Sequence, residues 1–378
     1  MARRGPGEGS INKSKRKDGR YMARITLDDG KRKYFYGKTK EEVRSQMIKA
    51  LADLQEGKLI TGPSQTVAQY LNRWLTDIVS QSVRPRTQES YVLNVRRVLP
   101  HIGKLRLTKL QPAHIQACYA ALLEGGLSRR SVEQCHTVLH RALRQALQWE
   151  MIGRNPTEAV SVPRPKRREM HTLTAHQVQD LFASSTEDCL HALWVLLATT
   201  GLRLGEATGL KWDDIDFATG KLTVRRALQR QTGTGLVFVE PKTEGSRRTI
   251  HLAESTVAIL REHRRTQLAQ RLESGPAWQD RGLVFCTSVG SPLEPARVNE
   301  AFHLALSKAG LPRLRVHDLR HTAATLLLSR GVHPKVVQEF LGHSTITLTL
   351  DTYSHVIPSL HSEVASHMES LFQRSGQQ

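Results

Sequence analysis

Aromatic side chains are scarce, at 5% of the chain, so broad stacking platforms for single-stranded nucleic acid are not favoured. Paired cysteines are missing as well. Cys118, Cys135, Cys189 and Cys286 are scattered with no C-x-x-C spacing, and read as buried thiols in a reducing compartment. No apolar run approaches the length of a membrane span, and the opening MARRGPGEGS lacks the apolar core of a signal peptide, so a cytoplasmic protein with no membrane partner is expected. Acidic residues are outnumbered, 35 Asp and Glu against 55 Lys and Arg, which leaves a formal charge of +20 and a pI near 10.2. That excess calls for a polyanionic partner, and with so few aromatics duplex DNA suits it best.

A length of 378 residues allows two or three domains, each with its own core. The first stretch alternates as strands do: a short strand around Ser10 to Ser14, then YMARITL, a DDG turn and KRKYFYG. Thr39 caps a helical run in which Val43, Met47, Leu51 and Leu54 recur at helical spacing, giving a small three-stranded sheet on one helix. Lys13, Lys15, Arg16, Lys17, Arg20, Arg24, Lys31, Arg32 and Lys33 crowd the strands, with Tyr21, Tyr34 and Tyr36 interleaved. Such a run is either a solvated face or a sheet laid on DNA, in which case Arg16, Lys17, Arg20, Arg24, Lys31, Arg32 and Lys33 are the candidate DNA contacts.

After Thr61-Gly-Pro-Ser, four amphipathic runs follow between residues 66 and 160, separated by Pro, Gly and Ser, and predict a four-helix bundle. SVPRPKRR, from Ser161 to Arg168, is a Pro-rich basic linker able to cross a duplex, which would make the chain a C-shaped clamp with one domain on each face of the DNA. Thr174 caps the next helix. An apolar helix then ends at Gly201 ahead of Arg203, and Lys221 to Leu252 alternates in three short strands, KLTVRRAL, LVFVE and RRTIHL.

The densest chemistry lies between Pro312 and His355. A helix beginning near Val316 places His317, Arg320 and His321 on neighbouring parts of one face and runs on to Gly331. A second helix starts at Pro334 and stops at Gly342, leaving His343 just past its end, and Ser344 to Leu350 alternates polar and apolar before Tyr353. His317 and His321 are spaced as zinc ligands on a helix can be, but Asp-Leu-Arg stands between them and Arg320 would set a fixed positive charge beside the metal. An anion fits better: Arg offers a planar fork to two phosphate oxygens, His donates or moves a proton, and Tyr serves as nucleophile where the cost of ionising a phenol of pKa ~10 is lowered.

His317-Asp-Leu-Arg320, Leu341-Gly342-His343 and Tyr353-Ser-His355, with Gly201-Leu-Arg203-Leu-Gly-Glu206 upstream, resemble the signature of the tyrosine recombinase (phage integrase) family. The resemblance implies an α+β, multidomain fold: an arm-type DNA-binding domain (1–62) of three strands and a helix, a four-helix core-binding bundle (63–160), a linker (161–171), a mostly helical catalytic domain with a small antiparallel sheet (172–360) and a tail (361–378). Arg84, Arg86, Arg129, Arg130, Arg141 and Arg144 are then either phosphate contacts of the bundle or solvated helix faces. It also implies roles. Arg203 and Arg320 clamp the scissile phosphate, Glu206 supports them, His317 and His343 hydrogen-bond to it with His317 offered as acceptor of the tyrosine proton, and Tyr353 attacks phosphorus to form a 3′-phosphotyrosyl bond. Lys242, in the turn where the family places its lysine, protonates the departing 5′ oxygen.

No cofactor or metal is implied. The implied partners are double-stranded attachment sites, a homotetramer that exchanges strands through a Holliday junction, and the DNA-bending host factor and excision factor that some such systems use, all in a bacterial host cytoplasm. The end of the chain from Pro358 to about Phe372, with Leu360, Val364, Met368 and Leu371, either docks on a neighbouring protomer or packs at home. Integration and excision of a phage or transposon is the expected function, against a type IB topoisomerase-like enzyme or a non-catalytic DNA-binding protein.

Overall fold

The computed structural model describes residues 9–12, 19–26, 32–55, 65–165, 171–240, 247–343 and 345–353, together with Met368. The chain divides into two compact units, Met1–Arg167 and Arg168–Gln378, whose boundary falls inside the Pro-rich basic stretch.

In the first unit, β1 (Gly9–Ile11), β2 (Tyr21–Thr26) and β3 (Arg32–Gly37) form an antiparallel sheet in chain order, and α1 (Lys40–Gln55) packs on it. Thr39 starts the helix as expected, its Oγ1 accepting the Glu42 N–H at 3.2 Å. The period-two alternation buries Ala23 and Ile25 on the α1 side. Cross-strand partners share a face, so the pairs Ser10–Arg24, Arg24–Tyr34, Met22–Tyr36 and Thr26–Arg32 place Arg24, Arg32, Tyr34 and Tyr36 together on the open side. Lys33 pairs with Ile25 and therefore stands on the opposite side from Arg24 and Arg32, over the Phe35 ring at 5.8 Å. Arg20 leads exposed into β2, whereas Lys13, Lys15, Arg16, Lys17 and Lys31 lie outside the described residues.

The bundle begins with α2 (Val67–Trp74), which continues through a π-helical turn (Leu75–Val79) into α3 (Ser80–Ser82). Then come α4 (Pro85–Ile102), α5 (Pro112–Glu124) and α6 (Arg129–Gln148), so the four expected runs are four helical rods. A Thr66–Gln69 capping box opens the first, and Pro85 and Pro112 open the second and third. Tyr70, Trp74, Tyr119 and Leu139 fill the core, and the buried Tyr70 hydroxyl donates to the Ala142 carbonyl at 2.5 Å.

The second unit runs α7 (Ala175–Ser184), α8 (His191–Thr200), α9 (Leu204–Thr208), β4 (Ile215–Asp216), β5 (Lys221–Thr223), β6 (Ala227–Gln231), β7 (Gly235–Val239), β8 (Thr249–His251), α10 (Glu254–Ser274), α11 (Pro295–Lys308), α12 (Val316–Ser329), α13 (Pro334–Leu341) and α14 (Ile346–Tyr353). Buried on nearly every side, α8 is the centre of the core, where Trp194 meets Phe302 at 5.1 Å between ring centroids.

Two readings of the sequence change here. KLTVRRAL is two strands in two sheets: β5 joins β4 and β8, whereas β6 pairs with β7 alone. The break falls at Arg225 and Arg226, which both turn to the buried Asp214 carboxylate, at 3.8 and 2.5 Å. The alternating run before Tyr353 is wound into α14, which packs on α13. Among the described residues no helix is long and apolar enough to cross a membrane.

Candidate active site

Four helix ends bring the motif residues together. Gly201 ends α8 in the left-handed region (φ +60°), which glycine adopts without strain, and a Cβ there would press on Leu341 Cδ2 at 2.5 Å. Gly342 (φ +67°) ends α13 in the same way and turns the chain into His343. Arg203 is the N-terminal flank of α9, and its own N–H is capped by Glu206 Oε2 at 3.0 Å. Val316 begins α12, as the spacing predicts, behind an Arg315–Asp318 cap in which the Arg315 N–H reaches Asp318 Oδ2 at 2.8 Å.

Arg320 is nearly sealed, at 2% exposure, and spans the ends of two helices: Nη1 donates to the Gly201 carbonyl and Nη2 to the Leu341 carbonyl, both at 2.7 Å. These carbonyls lie at helix C-termini, where partial negative charge favours a buried cation. Arg203 is the accessible arginine, with 41% of its side chain exposed. Its Nη1 meets Glu206 Oε1 at 2.7 Å and its Nη2 the Gly342 carbonyl at 3.3 Å. Both arginines therefore grip the turn that carries His343.

Burial pushes the Glu206 carboxyl upward, but Arg248 and Arg203 outweigh it and hold the group below its ordinary range, ionised. Arg248 was not singled out from the sequence. It is as buried as Glu206, at 7%, donates Nη2 to Glu206 Oε2 at 3.0 Å, and sends Nε to the Phe340 carbonyl at 2.8 Å.

The imidazoles are held neutral. Burial first, then His321, Arg320 and Arg315, push His317 down to about 4 against the upward pull of Asp318. His321 meets it edge-on at 5.0 Å, and burial lowers it too. Burial, then Arg320, Arg203, His321 and Arg248, likewise take His343 down to about 4. Cations from three separate stretches of the chain thus bear on one ring. Its Nδ1 is paired with the buried Thr349 hydroxyl at 2.9 Å, which ties the ring to α14, and Tyr353 ends α14 one helical turn beyond Thr349. Lys242 lies outside the described residues.

A site this rich in cations with neutral histidines is built for an anion. The folded pKa values of about 4 lie below the ordinary 6.5, so the two rings contribute stability that is full above pH 6.5 and lost as pH falls toward 4. A phosphate in the site would raise both. Binding of a short duplex should therefore take up protons between pH 4 and 6.5 and tighten as pH falls through that window, read by NMR titration of the His317 and His343 rings; values unmoved by DNA would remove both from the phosphate.

Known proteins match this chain in sequence and in fold. The model of the phage integrase family matches residues 171–359, and that of the phage integrase N-terminal SAM-like domain matches residues 66–123. An integrase of Streptomyces ambofaciens is 30% identical over 391 residues, covering 98% of each chain. The Tn1549 transposon integrase, solved in complex with transposon right end DNA, superposes with a TM-score of 0.70 at 23% identity, over 81% of this chain and 99% of that one. A lambda integrase tetramer bound to a Holliday junction gives 0.55 at 20% identity, over 90% and 93%. On the family model and the full-length relative, the chain belongs to the phage integrase family and is a tyrosine recombinase, an enzyme of DNA strand breakage and rejoining.

Proposed function

We propose that the chain integrates and excises a mobile DNA element, phage or transposon, by attack of the Tyr353 phenol on a scissile phosphodiester. The carrying observation is that Arg248, Arg320 and Arg203 hold the carbonyls of Phe340, Leu341 and Gly342, the stretch that presents His343, so that three guanidinium groups meet there with Glu206 shared between two of them. That surplus suits the developing charge of a five-coordinate phosphorus.

Arg203 meets the phosphate from the open side, while Arg320 supplies fixed charge from below. A neutral His343 whose Nδ1 accepts from Thr349 presents Nε2–H as a donor to a non-bridging oxygen. His317, also neutral, accepts the phenol proton as the Tyr353 oxygen bonds to phosphorus. The bond to the 5′ oxygen breaks, and that oxygen leaves with a proton from Lys242. A second strand's 5′-hydroxyl, giving its proton to Lys242, then attacks phosphorus and expels Tyr353, which takes its proton back from His317; a phosphodiester is restored, so bond energy is conserved and no nucleotide is consumed.

The segments take the roles of an arm-type DNA-binding domain (1–62), a core-binding bundle (63–160), a linker (161–171), a catalytic domain (172–360) and a tail (361–378). On the first, Arg24, Arg32, Tyr34 and Tyr36 make up the DNA-facing side. The assembly on DNA is a homotetramer, served by a bending factor and an excision factor. The test uses plasmids carrying one or two copies of the DNA flanking the gene. Recombination confined to the two-site plasmid is expected; relaxation of any supercoiled plasmid would mark a topoisomerase, and binding without cleavage a non-catalytic protein.

A further inference from the structure

The least accounted-for group near the site is Arg248. A buried guanidinium is costly unless every donor is met, and surface pairing would have served solubility equally well. Its neighbour shows that alternative: Arg247 pairs with Glu240 at 3.1 Å with both side chains mostly exposed. Arg248 instead turns inward. Its carbonyl accepts the Val224 N–H at 2.9 Å, which fixes the backbone at the head of β8. From there the side chain reaches Glu206 on α9, Nη1 to Oε1 at 3.4 Å and Nη2 to Oε2 at 3.0 Å, and the carbonyl of Phe340, two residues before Gly342.

Glu206 is thereby shared. Oε1 takes Arg203 Nη1 at 2.7 Å and Oε2 takes the Arg203 N–H at 3.0 Å, so the carboxylate that aims Arg203 is itself oriented by Arg248. Without the second arginine a carboxylate this buried could rotate or take a proton, and Arg203 would lose the partner that sets its direction.

We propose that Arg248 is a positioning residue for DNA cleavage: through Glu206 it aims Arg203 at the scissile phosphate, and through the Phe340 carbonyl it anchors the turn that presents His343. The inference rests on the reading of Arg203 as a phosphate clamp. It also gives one residue control of two motifs that lie 139 positions apart, the span already bridged by Arg203 and Gly342.

The test is single-turnover cleavage of nicked duplexes carrying the DNA that flanks the gene, with either a normal scissile phosphate or a methylphosphonate, which has lost the charge a clamp neutralises. Arg203→Ala should slow the normal substrate about 10²- to 10³-fold, the range for loss of a preorganised charge donor. Arg248→Met should lower the maximal rate about 10- to 100-fold, as loss of a supporting partner does, and leave the half-saturating DNA concentration unchanged. Both defects should shrink in parallel on the methylphosphonate. Should Arg248→Met fail to fold, Arg248→Lys carries the same test, since it keeps the charge and loses the fork. If Arg203→Ala is impaired while the folded Arg248 variants match the parent, or are equally slow on both substrates, Arg248 is only a fold element and the inference is wrong. If Arg203→Ala cleaves normally, the clamp reading itself fails.

Discussion

Replacing Tyr353 by phenylalanine abolishes formation of a covalent protein–DNA adduct and leaves duplex binding within a factor of two. The substitution removes one oxygen from the end of α14 and no other group. Loss of an enzymatic nucleophile lowers rates by as much as about 10⁶, so the expected residue of activity is background. Binding draws on the formal charge of +20 spread over the chain, which the substitution leaves unchanged. Gel-shift titration and adduct trapping on the same nicked duplex separate the two. Adduct persisting at more than a percent of the parent rate would move the nucleophile elsewhere.

Arg320→Ala is expected to be nearly as severe and to fail differently. Its side chain joins the Gly201 and Leu341 carbonyls, the ends of α8 and α13, so truncation leaves two buried acceptors without that donor, at about 1–3 kcal/mol each. On the proposed mechanism it also removes the charge beneath the phosphate, worth about 10²- to 10³-fold in rate. Both a lower melting temperature and lost cleavage should follow. Arg320→Lys keeps the charge but cannot span both carbonyls with a planar fork, and should recover part of the stability with little of the activity. A lysine variant that cleaves like the parent would reduce Arg320 to a point charge.

Helix ends were the most legible part of the fold, because they depend on local chemistry. Thr39 and Thr174 cap as expected, Gly201 and Gly342 adopt the left-handed turns their positions suggest, and α12 starts at Val316. The small sheets were less legible. The alternation in KLTVRRAL is continuous, and only the distant Asp214, which draws in Arg225 and Arg226, divides it. Likewise α14 owes its helix to packing on α13 and to Thr349 meeting His343, contacts that a local pattern cannot contain.

Within the site, the residues carried by motifs, the supporting Glu206 among them, were readable, and the supports outside the motifs were not. Arg203, Glu206, His317, Arg320 and His343 fall around one centre. Arg248 stands in an Arg-Arg pair where sequence does not say which side chain faces inward, and Thr349 is one threonine among several. Charge alone also failed to sort Lys33 from Arg24 and Arg32, a distinction that strand register makes at once.

The most direct measurement is the identity of the covalent bond. The protein would be incubated with nicked duplexes from the DNA flanking its gene in the presence of chelator, and the trapped adduct digested and mapped by mass spectrometry. The account predicts a single 3′-phosphodiester on Tyr353, formed at the same rate with and without divalent metal. An adduct on another residue, a 5′ linkage, or cleavage that stops when metal is removed would contradict it.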